Sequence, residues 1–246
     1  MLLALGNIGT HHLVDGVIAM ASDNNINHEL NNQIKGTFVH DCGWSFATLN
    51  DENDWLIRKS TNVIFQDESV WDLKPVKTKL RSFHVRKATK GNLSMNNLHH
   101  FHYESPRYGS FVMSHNGDVS DYIYFDKKFK VKGTTDSEQL FYKILTNIES
   151  GISIKKSLRN SLKDLRIFKG ANLIFSTKDK SFVTVYFSEN PRYYEMKLIK
   201  KKKSLIVSSE IIKLPGVDKK DWIHLKNGDL VEINHRTLDY KIYNIG

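Results

Sequence analysis

The order of predicted elements places this chain in the α+β class. Most segments are short β-type runs, two helical segments follow one another without a strand between them, and strands resume afterwards. Alternating βαβ units would interleave single helices with single strands. This order points instead to helices layered on sheets.

A first helical candidate covers residues 13–21. Strands are expected over 43–49, 80–86, 111–115, 173–176, 182–187, 193–199, 205–209 and 230–234. Each is short, rich in β-branched and aromatic residues, and mostly bounded by Gly, Asn, Asp or Ser. The second helix follows Gly133. Thr135 and Glu138 form a Thr-x-x-Glu capping box. Behind them Leu140, Phe141, Ile144, Leu145 and Ile148 fall on one helical face. A third helix is expected over 154–168, with Ile154, Leu158, Leu162 and Leu165 inward.

The 246 residues contain no internal repeat and no low-complexity linker, so a single domain over 1–246 is expected. With 40% hydrophobic and 26% charged residues, the chain can bury a core and stay soluble. No apolar run approaches the ~20 residues of a membrane span, and the start lacks the basic flank of a signal peptide. One cysteine, Cys42, cannot form an internal disulfide, which fits a reducing, cytoplasmic setting. Lysine plus arginine number 36 against 27 acids, a formal charge of +9. Much of the excess sits in residues 127–132 and 200–203, which read as solvated turns or strand edges.

Four segments carry chemistry. Arg86-Lys87-Ala88-Thr89-Lys90-Gly91 ends a strand. A guanidinium there can grip a carboxylate through two parallel hydrogen bonds, and Gly91 lets backbone approach a ligand. His115-Asn116-Gly117-Asp118 ends another strand. It reads either as a plain hairpin turn or as an amide and a backbone N–H converging on an oxyanion. In Gly133-Thr134-Thr135-Asp136-Ser137-Glu138 the carboxylate of Asp136 could bind an ammonium, beyond the helix cap. Arg86 and Asp136 together would hold the two charged ends of an amino acid. Asp41-Cys42-Gly43-Trp44-Ser45 and the late Ser208-Ser209-Glu210 say little alone.

Taken together and in this order, the segments resemble the class II glutamine amidotransferases, which are N-terminal-nucleophile enzymes. The match is to their small stand-alone members. Those resemble Met-Cys-Arg with an apolar strand, then His-x-Asp-Gly-Trp-Gly, Arg-x-Ala-Thr-x-Gly, Asn-x-His-Pro-Phe, His-Asn-Gly, Thr/Ser-Asp-Ser-Glu, and late Ser-Glu and Trp motifs. Here they read His40 to Ser45, Arg86 to Gly91, Asn97-Leu98-His99-His100-Phe101, His115-Asn116-Gly117, Thr135 to Glu138, Ser209-Glu210 and Trp222 to Leu225. The resemblance implies a four-layer αββα sandwich of two antiparallel sheets. It also implies hydrolysis of the side-chain amide of glutamine, or a related amide, without a cofactor or metal. An ammonia-accepting partner protein would complete the chemistry.

Carried over, Arg86 would bind the glutamine α-carboxylate and Asp136 the α-amine. Asn116 and the Gly117 N–H would form the oxyanion hole. Thr89 and Gly117 would line the pocket, and His99 would support the site. There are departures. Cys42 stands where the family has aspartate, Lys90 where larger relatives have histidine, and His100 where proline is usual. The family nucleophile is a cysteine exposed by removal of the initiator methionine, with its own α-amine as base. The chain begins Met1-Leu2-Leu3, so that cysteine would lie just upstream of Met1. A start placed too late and a true loss are both open. As written, the polypeptide should not hydrolyse glutamine. Cys42, ahead of a core strand, reads as a small buried thiol.

Nine of eleven histidines precede residue 116, and His99, His100 and His102 cluster. No His-Glu-x-x-His or Cys-x-x-Cys spacing accompanies them, so no metal is expected. The basic excess alone does not make a nucleic-acid module, since no such signature occurs. A non-catalytic glutamine-binding or scaffold protein is the remaining alternative.

Overall fold

The computed structural model describes residues 1–30, 36–50, 52–73, 80–88 and 91–246. The chain opens with β1 (Leu2–Gly6), α1 (Thr10–Ala21), β2 (Trp44–Leu49), β3 (Trp55–Ser60) and β4 (Leu80–Val85). Next come β5 (Phe101–Ser105), β6 (Gly109–Val119), α2 (Asp136–Glu149), α3 (Ile154–Lys163), β7 (Phe168–Ser176) and β8 (Lys180–Thr184). It closes with a short α4 (Pro191–Tyr194), then β9 (Met196–Lys201), β10 (Ser204–Ser208), β11 (Ile223–Leu225), β12 (Asp229–Asn234) and β13 (Tyr240–Asn244).

These strands make two antiparallel sheets. The first has the order β11-β9-β10-β1-β4-β2-β3, and the second β13-β12-β8-β7-β6-β5. Alternation along β1 shows how the layers form. Leu2 and Ala4 join Phe83 and Ile206 beneath Leu13, Val14 and Val17 of α1. Leu3 and Leu5 point the other way, to Ile174, Val183 and Val231 of the second sheet. On that sheet's far face, Leu140, Phe141, Ile144 and Leu145 of α2 and Leu158 of α3 cover Phe111, Met113, Leu173 and Phe175. The order is therefore helix, sheet, sheet, helix, the expected four-layer sandwich.

Local expectations need three corrections. The third helix stops at Lys163 rather than at 168. The Ile167 N–H is held by Asp121 (2.9 Å), and Phe168 already starts β7. The capping box is only half made. The Glu138 N–H donates to Thr135 Oγ1 (3.4 Å), but the Glu138 carboxylate accepts from the N–H groups of Lys132 (2.9 Å) and Gly133 (2.7 Å). It thus closes the preceding loop instead of the N-cap. Residues 115–118 form no hairpin turn, because β6 runs through them, paired with β7.

Candidate active site

The site lies where the ends of β4 and β6 meet the start of α2. β5 pairs with β6 only as far as Phe101 opposite Met113, so residues 114–119 leave one edge of β6 uncovered by strand. In a strand, alternate N–H groups point to the same side. On this bare edge the His115 N–H donates to His99 Nδ1 (3.1 Å), and the Val119 N–H to Asp136 Oδ2 (2.7 Å). The Gly117 N–H lies between them and points the same way. A second observation agrees. Ala171, opposite Gly117, turns its N–H away to the Tyr186 carbonyl (2.7 Å). That makes Gly117 and Ala171 a pair that does not exchange hydrogen bonds.

Position 117 must be glycine. A Cβ there would lie 1.8 Å from the Gly170 carbonyl oxygen, far inside van der Waals contact. The side chain of Asn116 shares a strand face with Ser114, whose Oγ lies 3.3 Å from Met1 Sδ. Asn116 therefore looks toward the head of β1.

Histidines join the two sheets here. His84 Nε2 donates to the His115 carbonyl (3.0 Å), and the His84 ring stacks on His99 at 3.9 Å. Burial holds both His84 and His99 well below the usual imidazole range, and neighbouring basic groups add to this. Both rings are neutral. His84 must carry its proton on Nε2 to donate to a carbonyl, and His99 must keep Nδ1 bare to accept.

Arg86 follows β4 and is buried. Its guanidinium donates to the carbonyls of Asn92 (3.1 Å) and Gly91 (3.2 Å). Burial lowers its pKa, while Cys42 and Asp136 act in the opposite direction. Asn97, 1% exposed, ties this loop to the start of α2. Its Nδ2 donates to Asn92 O (2.9 Å) and Thr134 Oγ1 (3.1 Å), and its Oδ1 accepts from the Thr134 N–H (2.7 Å). Asp136 is then fixed through Oδ1 by the Ser137 N–H (2.7 Å) and through Oδ2 by Val119. A guanidinium, a carboxylate and the bare edge of β6 are thus framed largely by uncharged amide, hydroxyl and backbone groups.

The head of β1 is framed differently. The Met1 amine donates to Ser209 Oγ (3.1 Å), and the Ser209 N–H donates back to the Met1 carbonyl (3.0 Å). Burial lowers this amine from 8.0 to about 6, opposed by Glu210. Burial also raises the Glu210 carboxyl to about 7, against the Asn25 amide, which donates to it at 2.7 Å. Beneath lies the fully buried Lys197. Its Nζ is 2.9 Å from Glu29 Oε1 and 3.2 Å from the Ser209 carbonyl.

The structure brings Arg86, Asp136, Asn116, Gly117 and His99 to one region. Thr89 and Lys90 lie outside the described residues. Cys42 is not the buried thiol expected. It is half-buried ahead of β2, its N–H donates to the Arg86 carbonyl (3.0 Å), and its Sγ lies 3.3 Å from Asp41 Oδ1. The sequence reading gave no role to Asn97, His84 or Lys197. The Asn-x-His motif pointed at Asn97, but nothing local marks Lys197. The clustered histidines hold hydrogen bonds: His100 Nε2 lies 2.8 Å from Ser82 Oγ, and His102 Nε2 2.9 Å from Ser110 Oγ. Among the described residues, Glu29, Glu195 and His224 have metal-like spacing, but the Lys197 ammonium already sits against Glu29. No helix among the described residues is long and apolar enough to cross a membrane.

Comparison with known proteins adds a family. The model of the family described as glutamine amidotransferases class-II matches residues 28–172. No curated protein matches the sequence. Among solved structures, glutamine phosphoribosylpyrophosphate amidotransferase from B. subtilis is similar at TM-score 0.68 and 15% identity, over 100% of this chain and 49% of that one. The chain thus spans about half the length of that enzyme. A glutamine aminotransferase class-II domain protein from Silicibacter pomeroyi gives TM-score 0.60 and 14% identity, covering 99% of this chain and 98% of that one. A predicted glutamine amidotransferase from Pseudomonas aeruginosa gives 0.58 and 14%, covering 95% and 97%.

Proposed function

The chain belongs to the class II glutamine amidotransferases, and from that premise we propose that its pocket binds glutamine, or a related amide, for hydrolysis by a cysteine thiol at the head of β1. Arg86 takes the α-carboxylate and Asp136 the α-amine. Asn116 and the Gly117 N–H receive the oxyanion. Gly117 lines the pocket, and His99 keeps the edge of β6 in place. The observation that carries this reading is the Gly117 N–H, aimed from a bare strand edge between the donors held by His99 and Asp136. Backbone donors fixed before reaction stabilise a developing charge without reorganising.

In the proposed cycle the α-amine of the cysteine takes the thiol proton, and sulfur attacks the amide carbon. The tetrahedral oxyanion collapses with loss of the amine, which takes that proton and leaves a thioester. Water then cleaves the thioester, releasing glutamate and restoring the thiol. Ammonia passes to an acceptor on a partner protein. A reducing cytoplasm would keep the thiol free.

Two measurements test this. Calorimetry on the chain beginning at Met1 should detect L-glutamine, and Arg86→Ala or Asp136→Ala should abolish the signal. A chain with Met-Cys placed ahead of Met1 should release glutamate from glutamine, and its Cys→Ala counterpart should not. The alternative is a glutamine-binding protein without hydrolysis. It predicts binding in both chains and glutamate release in neither.

A further inference from the structure

A cavity of about 470 Å³ opens in the α1 layer, outside the first sheet. Its first wall is a stripe of α1. His12, Asp15, Gly16 and Ala19 share one helical face by their three- and four-residue spacing. Its second wall is the segment after β10, with Ile212, Lys213 and Leu214. The two walls touch at Gly16, where a Cβ would lie 2.9 Å from the Ile212 Cβ, so glycine lets them meet. The third wall is the loop over residues 24–27. Asn25 stiffens that loop. Its amide donates to Glu210 Oε2 (2.7 Å) and to the Ile211 carbonyl (3.0 Å), and its Oδ1 accepts from the Asn27 N–H (3.2 Å).

The lining sorts by chemistry. Ala19, Ile212 and Leu214 give an aliphatic floor, and Ile26, 79% exposed, extends it. The Asp15 carboxylate and the Lys213 ammonium stand on different walls, and neither pairs with the other or with any other described residue. The Asn27 side-chain amide makes no hydrogen bond to a described residue, and the Asn24 amide donates to Ser22 Oγ (3.0 Å) alone. An occupant that matches this lining carries opposite charges at its two ends, an aliphatic side chain between them, and a group that exchanges hydrogen bonds with amides. The volume lies within the roughly 300–1,000 Å³ of cavities that take drug-sized ligands, more room than one amino acid fills.

We propose that this cavity is a binding site for a short zwitterionic peptide with aliphatic side chains, separate from the pocket of Arg86 and Asp136. Asp15 takes the terminal ammonium and Lys213 the terminal carboxylate. Asn24 and Asn27 bond the peptide group, and Ala19, Ile212 and Leu214 receive a branched side chain. Asn25 is shared, since it walls the cavity while its amide holds Glu210. An occupant therefore bears on the frame at the head of β1.

Calorimetry on the chain beginning at Met1 compares L-leucyl-L-leucine, L-leucine and N-acetyl-L-leucyl-L-leucinamide, which keeps the side chains and the peptide group and lacks both charges. The dipeptide should bind with a submillimolar Kd, as its atom count allows. The blocked peptide should bind about fivefold more weakly, the worth of two exposed ion pairs, and leucine about tenfold more weakly. Asp15→Asn and Lys213→Met should each weaken the dipeptide about two- to threefold and leave the blocked peptide unchanged. Ala19→Leu, which fills the floor from a partly exposed helix face, should abolish dipeptide binding. In isotope-labelled protein the Asn25 side-chain amide resonances should shift as the dipeptide is added. The inference is overturned if the dipeptide does not bind, if the blocked peptide or leucine binds equally well, if binding survives Ala19→Leu, or if the Asn25 amide does not respond.

Discussion

The two ends of the cleft between the sheets are held by opposite means. At the Arg86–Asp136 end, Asn97, Thr134, Ser137 and the bare edge of β6 hold the two ions mostly through uncharged side chains and backbone groups, with the Glu138 carboxylate closing the adjoining loop. At the head of β1, the frame is made of buried ionisable groups: the Met1 amine, Glu210, Lys197 and Glu29. Uncharged partners do not titrate themselves, although the bonds they make to an ion last only while that ion keeps its charge. Buried ions fix geometry only while their protonation holds, and removing one partner leaves an uncompensated charge. The second frame is therefore the more sensitive of the two to pH and to loss of a single partner.

The comparison can be broken hardest at Lys197. Lys197→Met should lower unfolding stability by about 3–5 kcal/mol, the usual cost of stranding the largely buried Glu29 carboxylate. Urea denaturation measures it, and a loss near zero would mean that Glu29 turns out to water. Next comes Gly117→Ala. Both atoms in the resulting clash are backbone or Cβ, so β6 and β7 must separate, at a cost of about 3 kcal/mol. A shifted amide spectrum for residues 115–119 and 170–172 should accompany it.

Asn97→Ala tests the neutral frame. Asn97 is buried, and losing its side chain with its hydrogen bonds to Asn92 and Thr134 should cost about 2 kcal/mol. Glutamine affinity should fall with it, since the loops bearing Arg86 and Asp136 lose their tie. The smallest effect is one of pH. The folded Glu210 carboxyl, raised from 4.5 to about 7, binds a proton more readily than the unfolded one. Its contribution to stability therefore falls as pH rises from about 4.5 to 7. The Met1 amine, lowered from 8.0 to about 6, acts in the opposite sense between about 6 and 8. Buried histidines such as His40, lowered from 6.5 to about 4, also favour the folded state as pH rises. The difference between wild type and Glu210→Gln isolates the carboxyl. It should slope by at most about 1.4 kcal/mol per pH unit across that window. A flat difference would show Glu210 ionised in both states.

What was legible in the sequence follows the same divide. Every strand predicted from β-type runs overlaps an interior strand, but Tyr193 and Tyr194, placed at the start of the strand over 193–199, end α4 instead. The four edge strands, β3, β5, β11 and β13, were missed. Sequences such as Trp55-Leu56-Ile57-Arg58-Lys59-Ser60 and Tyr240-Lys241-Ile242-Tyr243-Asn244 face water and carry charge, so their hydrophobic signal is diluted. β1, too short and early to stand out alone, was anticipated only through the family resemblance. Among site residues, Arg86, Asp136 and Asn116-Gly117 sit in short motifs whose chemistry is local. Asn97 and Lys197 act through partners far away in sequence, such as Thr134 and Glu29, which no local pattern displays. Asn116-Gly117 resembled a hairpin turn because that dipeptide usually makes one. Here the glycine is required by the close approach of Gly170.

That approach has a mechanical consequence. Tyr194, Gly170 and Gly117 form a file in which two side chains are missing, so only peptide thickness separates an aromatic ring from the strand edge. Any displacement of the ring therefore passes straight into the β6–β7 pair at Gly117, with no side chain between them to absorb it.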